Sequence, residues 1–144
     1  ENLSLAQVDA LLNKNSGMLG LTEKTNDFRE IEDAALAGDQ QAVRALDIFC
    51  HRLKKYIGAY VAILGGLDIL VFTAGIGEHS PVVRSACLQN MEYLGISIDA
   101  AKNETNALDI GTGKVKVLVV PTNEELAIAR DTQRILQEHL QQRK

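Results

Sequence analysis

The chain has 144 residues, enough for one domain with a buried core. Hydrophobic residues make up 46% and charged residues 24%, the mix of an ordinary soluble globular protein. With 15 Lys and Arg against 19 Asp and Glu, the net charge is −4, which argues against non-specific binding to nucleic acid or to an anionic membrane.

No apolar run approaches the roughly 18 to 20 residues that span a bilayer. The opening ENLSLAQVDALLNK has no basic segment leading an apolar stretch, so it does not read as a signal peptide. It also lacks an initiator Met, which predicts that the sequence begins within a longer protein. Cys50 and Cys87 lie in apolar helical patterns without metal spacing. They read as small buried hydrophobes of a reducing, cytoplasmic compartment.

SLAQVDALLNKNSG predicts a short helix. Ser4 caps it, Leu5, Val8, Leu11 and Leu12 share a face, and Asn15-Ser16-Gly17 ends it. GMLGLTEKTNDF reads as a loop with two glycines. Asp27 or Asn26 caps a second helix, FREIEDAALAGD, which ends near Gly38. Asp39 starts a third helix that runs to about Gly65, with Ala42, Leu46, Phe49, Leu53, Tyr56, Ile57, Tyr60, Val61 and Leu64 at three-four spacing. Its Arg44, Arg52, Lys54 and Lys55 fall largely off that face and read as solvated surface.

LDILVFTAG is the clearest strand. Its apolar residues are continuous, which predicts that both faces are covered. A glycine loop follows, then a helix over SPVVRSACLQNMEYLG with Ser80 at the cap, Pro81 in the first turn and Gly95 beyond the end. GISID reads as a short strand before a polar stretch to Gly113. VKVLVVPT is a second strong strand, and NEELAIARDTQRILQEHLQQ a closing helix. The order predicts a single α/β or mixed architecture over residues 1–144.

Four features invite chemistry. Gly75 and Gly77, between a strand and a helix start, let backbone N–H groups approach an anion. Ser80 stands where a dinucleotide fingerprint has a third small residue, so a nucleotide loop and a plain turn remain evenly matched, and a dinucleotide-dependent oxidoreductase is disfavoured. GTGKVK lacks both the earlier glycine and the following Ser or Thr of a phosphate loop, and reads as a turn with Lys114 in solvent. In PTNEELAIAR, Thr122 and Glu125 have capping-box spacing, which leaves Glu124 either as a carboxylate for Mg²⁺ or as one of the acidic residues that favour any helix start. In TNDFRE, Arg29 suits a phosphate or a flat ring, against a surface ion pair with Glu32 or Asp33. His51, His79 and His139 lie in different elements, and no Ser or Cys stands in a nucleophile elbow.

Five blocks in order closely resemble the acetate kinase family, which includes propionate and butyrate kinases. They are DALLNKNSGMLGLT, NDFREIEDAALAGD, RLKKYIGAYVAILGG, LDILVFTAGIGEHSPVVR and VKVLVVPTNEELAIARDT. The resemblance is to the C-terminal part of such an enzyme. It implies an α/β, actin-like ATPase (ribonuclease H-like) fold, with a mixed sheet and flanking helices. It implies that Asp27, Phe28 and Arg29 belong to a nucleotide site. Gly75, Ile76, Gly77, Glu78 and His79 would wrap the adenosine of ATP or ADP, and Glu124 would help hold Mg²⁺. Family members usually carry Asn in place of His79 and often Met in place of Phe28. The implied reaction moves a phosphoryl group between ATP and a short-chain carboxylate, giving an acyl phosphate and ADP. The implied assembly is a homodimer. The family's acyl pocket and charge-stabilising residues precede this segment, so no catalytic residue is assigned here. The alternative from another class is a non-catalytic nucleotide-binding or dimerisation module.

Overall fold

The computed structural model describes residues 2–142. Side-chain caps start most of the longer helices. Helix α1, Leu5–Asn13, has a full capping box between Ser4 and Gln7. Helix α2, Gly17–Thr22, replaces the expected loop. Asp27 caps α3, Phe28–Leu36, by accepting from the Arg29 N–H at 3.0 Å. Asp39 caps α4, Gln40–Leu64, by accepting from the Gln41 N–H at 2.9 Å and the Ala42 N–H at 3.3 Å. Gly65 ends α4 with φ 71°, a left-handed conformation that a Cβ would strain.

Strand β1 is Ile69–Phe72. A short helix, α5, Ala74–His79, then occupies what reads in sequence as a glycine loop. Helix α6 is Pro81–Leu88, and the Ser80 hydroxyl caps it by accepting from the Val83 N–H at 3.0 Å. It is shorter than its pattern predicts. Asn90 takes a left-handed φ of 59°, and a single 3₁₀ turn over Glu92–Leu94 ends at Gly95. Helix α7, Ala100–Glu104, lies in the stretch read as merely polar. Strand β2 is Lys116–Val119, and α8 is Glu124–Gln142.

β1 and β2 pair in parallel, from Ile69 opposite Lys116 to Phe72 opposite Val119. On the other side of β2, the Ile110 N–H donates to the Val117 carbonyl at 2.9 Å and the Val119 N–H to the Leu108 carbonyl at 3.0 Å. That segment bridges on to Ile98, so the expected strand at GISID is one antiparallel bridge at the margin of a mixed sheet.

The core lies on one face of this sheet. Phe72, Val117 and Val119 meet Leu46 and Cys50 of α4 and Val83 and Cys87 of α6 in one buried cluster. The opposite face of β1 is open, with Ile69 and Val71 about half exposed, contrary to the two-sided cover that its continuous apolar run predicts. Within the described residues α4 and α6 cover a single face. Burial along α4 is likewise confined to its N-terminal half, at Ala42, Ala45, Leu46 and Cys50, while Tyr56, Tyr60 and Leu64 are exposed. Both cysteines are free and buried as predicted, and burial pushes their thiols up, to about 11 for Cys50 and about 12 for Cys87. No helix among the described residues is long and apolar enough to cross a membrane.

Candidate functional site

The start of α3 and the α5–α6 junction face each other across a groove of about 400 Å³. It is lined by Asn26, Asp27, Phe28, Arg29, Glu32, Gly75, Ile76, His79 and Ser80. Six of the predicted site residues therefore meet at one place: Asp27, Phe28, Arg29, Gly75, Ile76 and His79. A larger recess of about 700 Å³ elsewhere is lined only by residues of α4, among them Arg44, His51 and Lys55, and is an open helix surface.

Two apolar side chains set the groove's character. Phe28 packs edge-on against Phe49 of α4, with ring centroids 4.5 Å apart and planes at 63°, which fixes its ring. Ile76 packs on the same core from α5. Such walls suit a flat, weakly polar ring.

The polar side is made by Asp27 and Arg29. The guanidinium grips the carboxylate with two bonds, Nε to Oδ1 at 3.0 Å and Nη2 to Oδ2 at 2.6 Å. The surface ion pair considered from sequence thus exists, but with Asp27 rather than Glu32 or Asp33. The Arg29 side-chain bond, followed by its backbone N–H, holds the Asp27 carboxyl down at about 2. Glu32 instead accepts from the Ser80 hydroxyl, which ties α3 to the cap of α6. His79 is exposed at the end of α5.

α5 starts on an unexpected residue. Ala74, not a glycine, takes the left-handed φ of 58° at its start. Gly77 lies close over β1, where a Cβ would meet the Phe72 carbonyl carbon in ordinary van der Waals contact at 3.4 Å. Beneath α5 lies Arg84, completely buried. Its Nη1 donates to the Gly77 and Glu78 carbonyls at 2.8 and 3.0 Å, and its Nε and Nη2 donate to Asn103 at 2.7 and 2.8 Å. Nη2 also reaches Asn106 Oδ1 at 2.5 Å. The sequence did carry a sign of it. Arg84 falls on the inward stripe with Cys87 and Leu88, where a charged side chain needs partners.

Gly77 and Glu78 are not among the residues that line the groove. Glu78 is buried, and its carboxylate turns toward the connection between β2 and α8. Its Oε1 accepts from both the N–H and the hydroxyl of Thr122, each at 2.8 Å. These bonds, led by the Thr122 hydroxyl, hold its pKa below the usual carboxylate value. The predicted capping box of Thr122 and Glu125 is therefore not the cap of α8. Asn123 caps it, accepting from the Leu126 N–H at 2.9 Å.

Glu124 is the first residue of α8, exposed, and in none of the ion pairs among the described residues. No group of three or more His, Cys, Asp or Glu there could cage a metal. A lone free carboxylate fits Mg²⁺ carried mainly by water and phosphate oxygens, which is how that ion is commonly held. Lys114 is exposed in a turn, as expected. Gly113 serves close packing there, since a Cβ would collide with the Gly95 carbonyl oxygen.

Residues 1–130 match the family model described as the acetokinase family. An acetate kinase of Caldicellulosiruptor saccharolyticus is 49% identical over 143 residues, covering 95% of this chain and 36% of its own length. One from Dictyoglomus thermophilum is 53% identical over 140 residues, covering 94% and 35%. The solved structure of Porphyromonas gingivalis acetate kinase superposes with a TM-score of 0.82 at 44% identity, over 93% of this chain and 35% of that one. A propionate kinase from Francisella tularensis gives 0.81 at 38% identity, over 88% and 33%. The chain thus spans about a third of the length of these relatives.

Proposed function

The chain belongs to the acetokinase family and has the α/β, actin-like ATPase fold of its acetate kinase neighbours, and on that premise we propose that residues 1–144 form the nucleotide- and Mg²⁺-side portion of a short-chain carboxylate kinase. The full enzyme would move a phosphoryl group reversibly between ATP and acetate, giving acetyl phosphate and ADP, with propionate or butyrate as alternative acceptors. It would work in the cytoplasm as a homodimer. The observation that carries this reading is the groove itself. Two segments joined by the Glu32–Ser80 bond, 48 residues apart, converge so that Phe28, Ile76 and the Asp27–Arg29 pair line one space.

The chemistry asks little covalent work of the protein. The nucleotide must be held so that an acceptor oxygen meets the γ-phosphorus in line, and developing charge must be offset. Phe28 and Ile76 hold the base ring and exclude water from its faces. Arg29 is available to phosphate or ring, already oriented by Asp27. The backbone of Gly75–His79 follows the nucleoside, with its path fixed from below by Arg84. Glu124 would contribute a carboxylate to Mg²⁺, which when bound neutralises phosphate charge. The acyl pocket and catalytic groups belong to sequence outside these 144 residues. Acyl size is therefore chosen elsewhere, and a single methylene is worth only about 1–3 kcal/mol of discrimination.

The test compares two polypeptides: this chain, and the product extended upstream of Glu1 to the length of the relatives. The extended protein should form acyl phosphate in an ATP- and Mg²⁺-dependent way. The 144-residue chain should bind ADP without turnover, and Phe28→Ala should weaken that binding. Turnover by the short chain would overturn the division of labour, and no nucleotide binding by either would overturn the site. A second reading, a dimerisation module, draws on the exposed Tyr56, Tyr60, Ile63 and Leu64 of α4. Sizing the isolated chain with and without Tyr60→Glu tests it.

A further inference from the structure

We propose that Glu78 is a positioning residue, whose carboxylate clamps Thr122 and thereby fixes where α8 begins and where it carries Glu124. This rests on the reading of Glu124 as the carboxylate that meets Mg²⁺.

The clamp stands out because, within the described residues, α8 has so little else. Residues 124–140 are all exposed. The side-chain bonds within that helix are local: Thr132 to the Ile128 carbonyl, and Arg134 to Asp131 and Glu138. Asn123 caps it but is itself part of the same connection. Upstream, the Val120 N–H donates to the Phe72 carbonyl at 2.9 Å and the Thr73 hydroxyl donates to the Val120 carbonyl at 2.8 Å, and both anchor the chain before it turns. Among the described residues, the last anchor before Glu124 is the pair of bonds from Thr122 to Glu78, across 44 residues of sequence.

Glu78 is itself held rigidly. Arg84 grips its carbonyl and that of Gly77 from the buried side. α5 presents Gly75, Ile76 and His79 to the groove on one side and Glu78 to Thr122 on the other. One short helix thus sets both the groove wall and the departure point of α8. A carboxylate is the right clamp because one of its oxygens accepts two donors at once, a hydroxyl and an N–H. The side chain acts through Thr122, not on the nucleotide.

The experiment uses the extended, full-length polypeptide with Glu78→Gln, Glu78→Ala, Thr122→Val and Glu124→Gln. Gln retains an acceptor oxygen. Thr122→Val removes one donor at an exposed position, and it decides the matter should Glu78→Ala fail to fold. Three quantities are read: amide exchange at residues 122–127, the Mg²⁺ concentration for half-maximal rate at saturating ATP, and the Kd of ADP without Mg²⁺. Glu78→Ala should speed exchange at least about tenfold, as loss of a charged acceptor implies. It should raise the Mg²⁺ requirement several-fold and leave the metal-free ADP Kd unchanged. Glu78→Gln should recover most of both losses, and Thr122→Val should shift both partway. Unchanged exchange at 122–127 in Glu78→Ala or Thr122→Val overturns the clamp. A large rise in the metal-free ADP Kd overturns it too, since Glu78 would then be a ligand. An unchanged Mg²⁺ dependence in Glu124→Gln removes the assignment of Glu124, while exchange still decides the clamp.

Discussion

Arg84 is a cation buried among neutral acceptors. None of the ion pairs among the described residues includes it, yet every one of its three nitrogens donates. Burial pulls its pKa down from the usual arginine value, but the fork of donors keeps the charged form useful. Arg84→Met would leave the Gly77, Glu78 and Asn103 acceptors without partners. It should cost on the order of 3 kcal/mol in urea unfolding, at 1–3 kcal/mol for each orphaned buried group less what relaxation recovers. Arg84→Lys should recover little, because an ammonium cannot reach both sides of the fork. A loss below about 0.5 kcal/mol would show that water replaces the guanidinium. Asp27 gives a second residue-level prediction, this time in pH. Its folded pKa of about 2 lies below the ordinary 3.8, so folding favours the ionised form. The stabilisation is complete above about pH 4 and fades as pH falls toward 2. A carboxyl NMR titration should place the Asp27 midpoint near 2, and Arg29→Met should move it upward. A wild-type midpoint at 3.8 would mean that the pair does not form in solution.

At the scale of elements, two glycines make opposite predictions. At Gly113 a Cβ would collide with the Gly95 carbonyl oxygen and stand 2.8 Å from Ser97 Oγ. Gly113→Ala should therefore destabilise the turn before β2 by about 1–3 kcal/mol. Gly58, within α4, has open space where a Cβ would go. Gly58→Ala should stabilise the isolated chain by about 0.5–1 kcal/mol through helix propensity alone. Thermal unfolding of both variants checks the contrast, and equal signs would refute it. The same elements show what sequence can convey. Ser4, Asp27, Asp39 and Ser80 are all legible as caps because a cap bonds within three residues. The helices α2 and α5 are not, because glycines suggest loops while Gly75 and Gly77 adopt helical backbone and Ala74 takes the unusual φ. The margin of the sheet is illegible for another reason. Its bonds run from Asp99 to Ile110 and from Thr112 to Ser97, and no local pattern encodes them. The groove was legible only through five blocks of resemblance. Its supports, Arg84 to Asn103 and Glu78 to Thr122, join partners 19 and 44 residues apart, and neither pairing leaves a periodic trace.

Across the whole molecule, stability and function are placed differently. The core is drawn from α3, α4, α6, the two strands and the segment from Met91 to Val115. α8 adds nothing to it among residues 124–140, and α1 has no buried residue either. Both helices nonetheless carry apolar side chains, including Leu5 and Leu12 on α1 and Ile128, Ile135 and Leu136 on α8, all more than half exposed. Apolar faces without cover contribute no burial energy, so α8 should be marginal in the isolated 144-residue chain. Deleting residues 124–144 should then move the Tm of that chain by no more than about 2 °C, since surface changes rarely exceed 0.5 kcal/mol. Ile31→Ala, at a position 1% exposed, should instead cost about 2–5 kcal/mol. On the proposed reading, the same deletion in the full-length protein should abolish activity and lower the Tm well beyond 2 °C, because Glu124 would be lost from the Mg²⁺ site and the apolar face of α8 would have further polypeptide to meet. Equal shifts in the two proteins would show that α8 gains no cover from the additional sequence. A large shift in the short chain would show that α8 already packs within it.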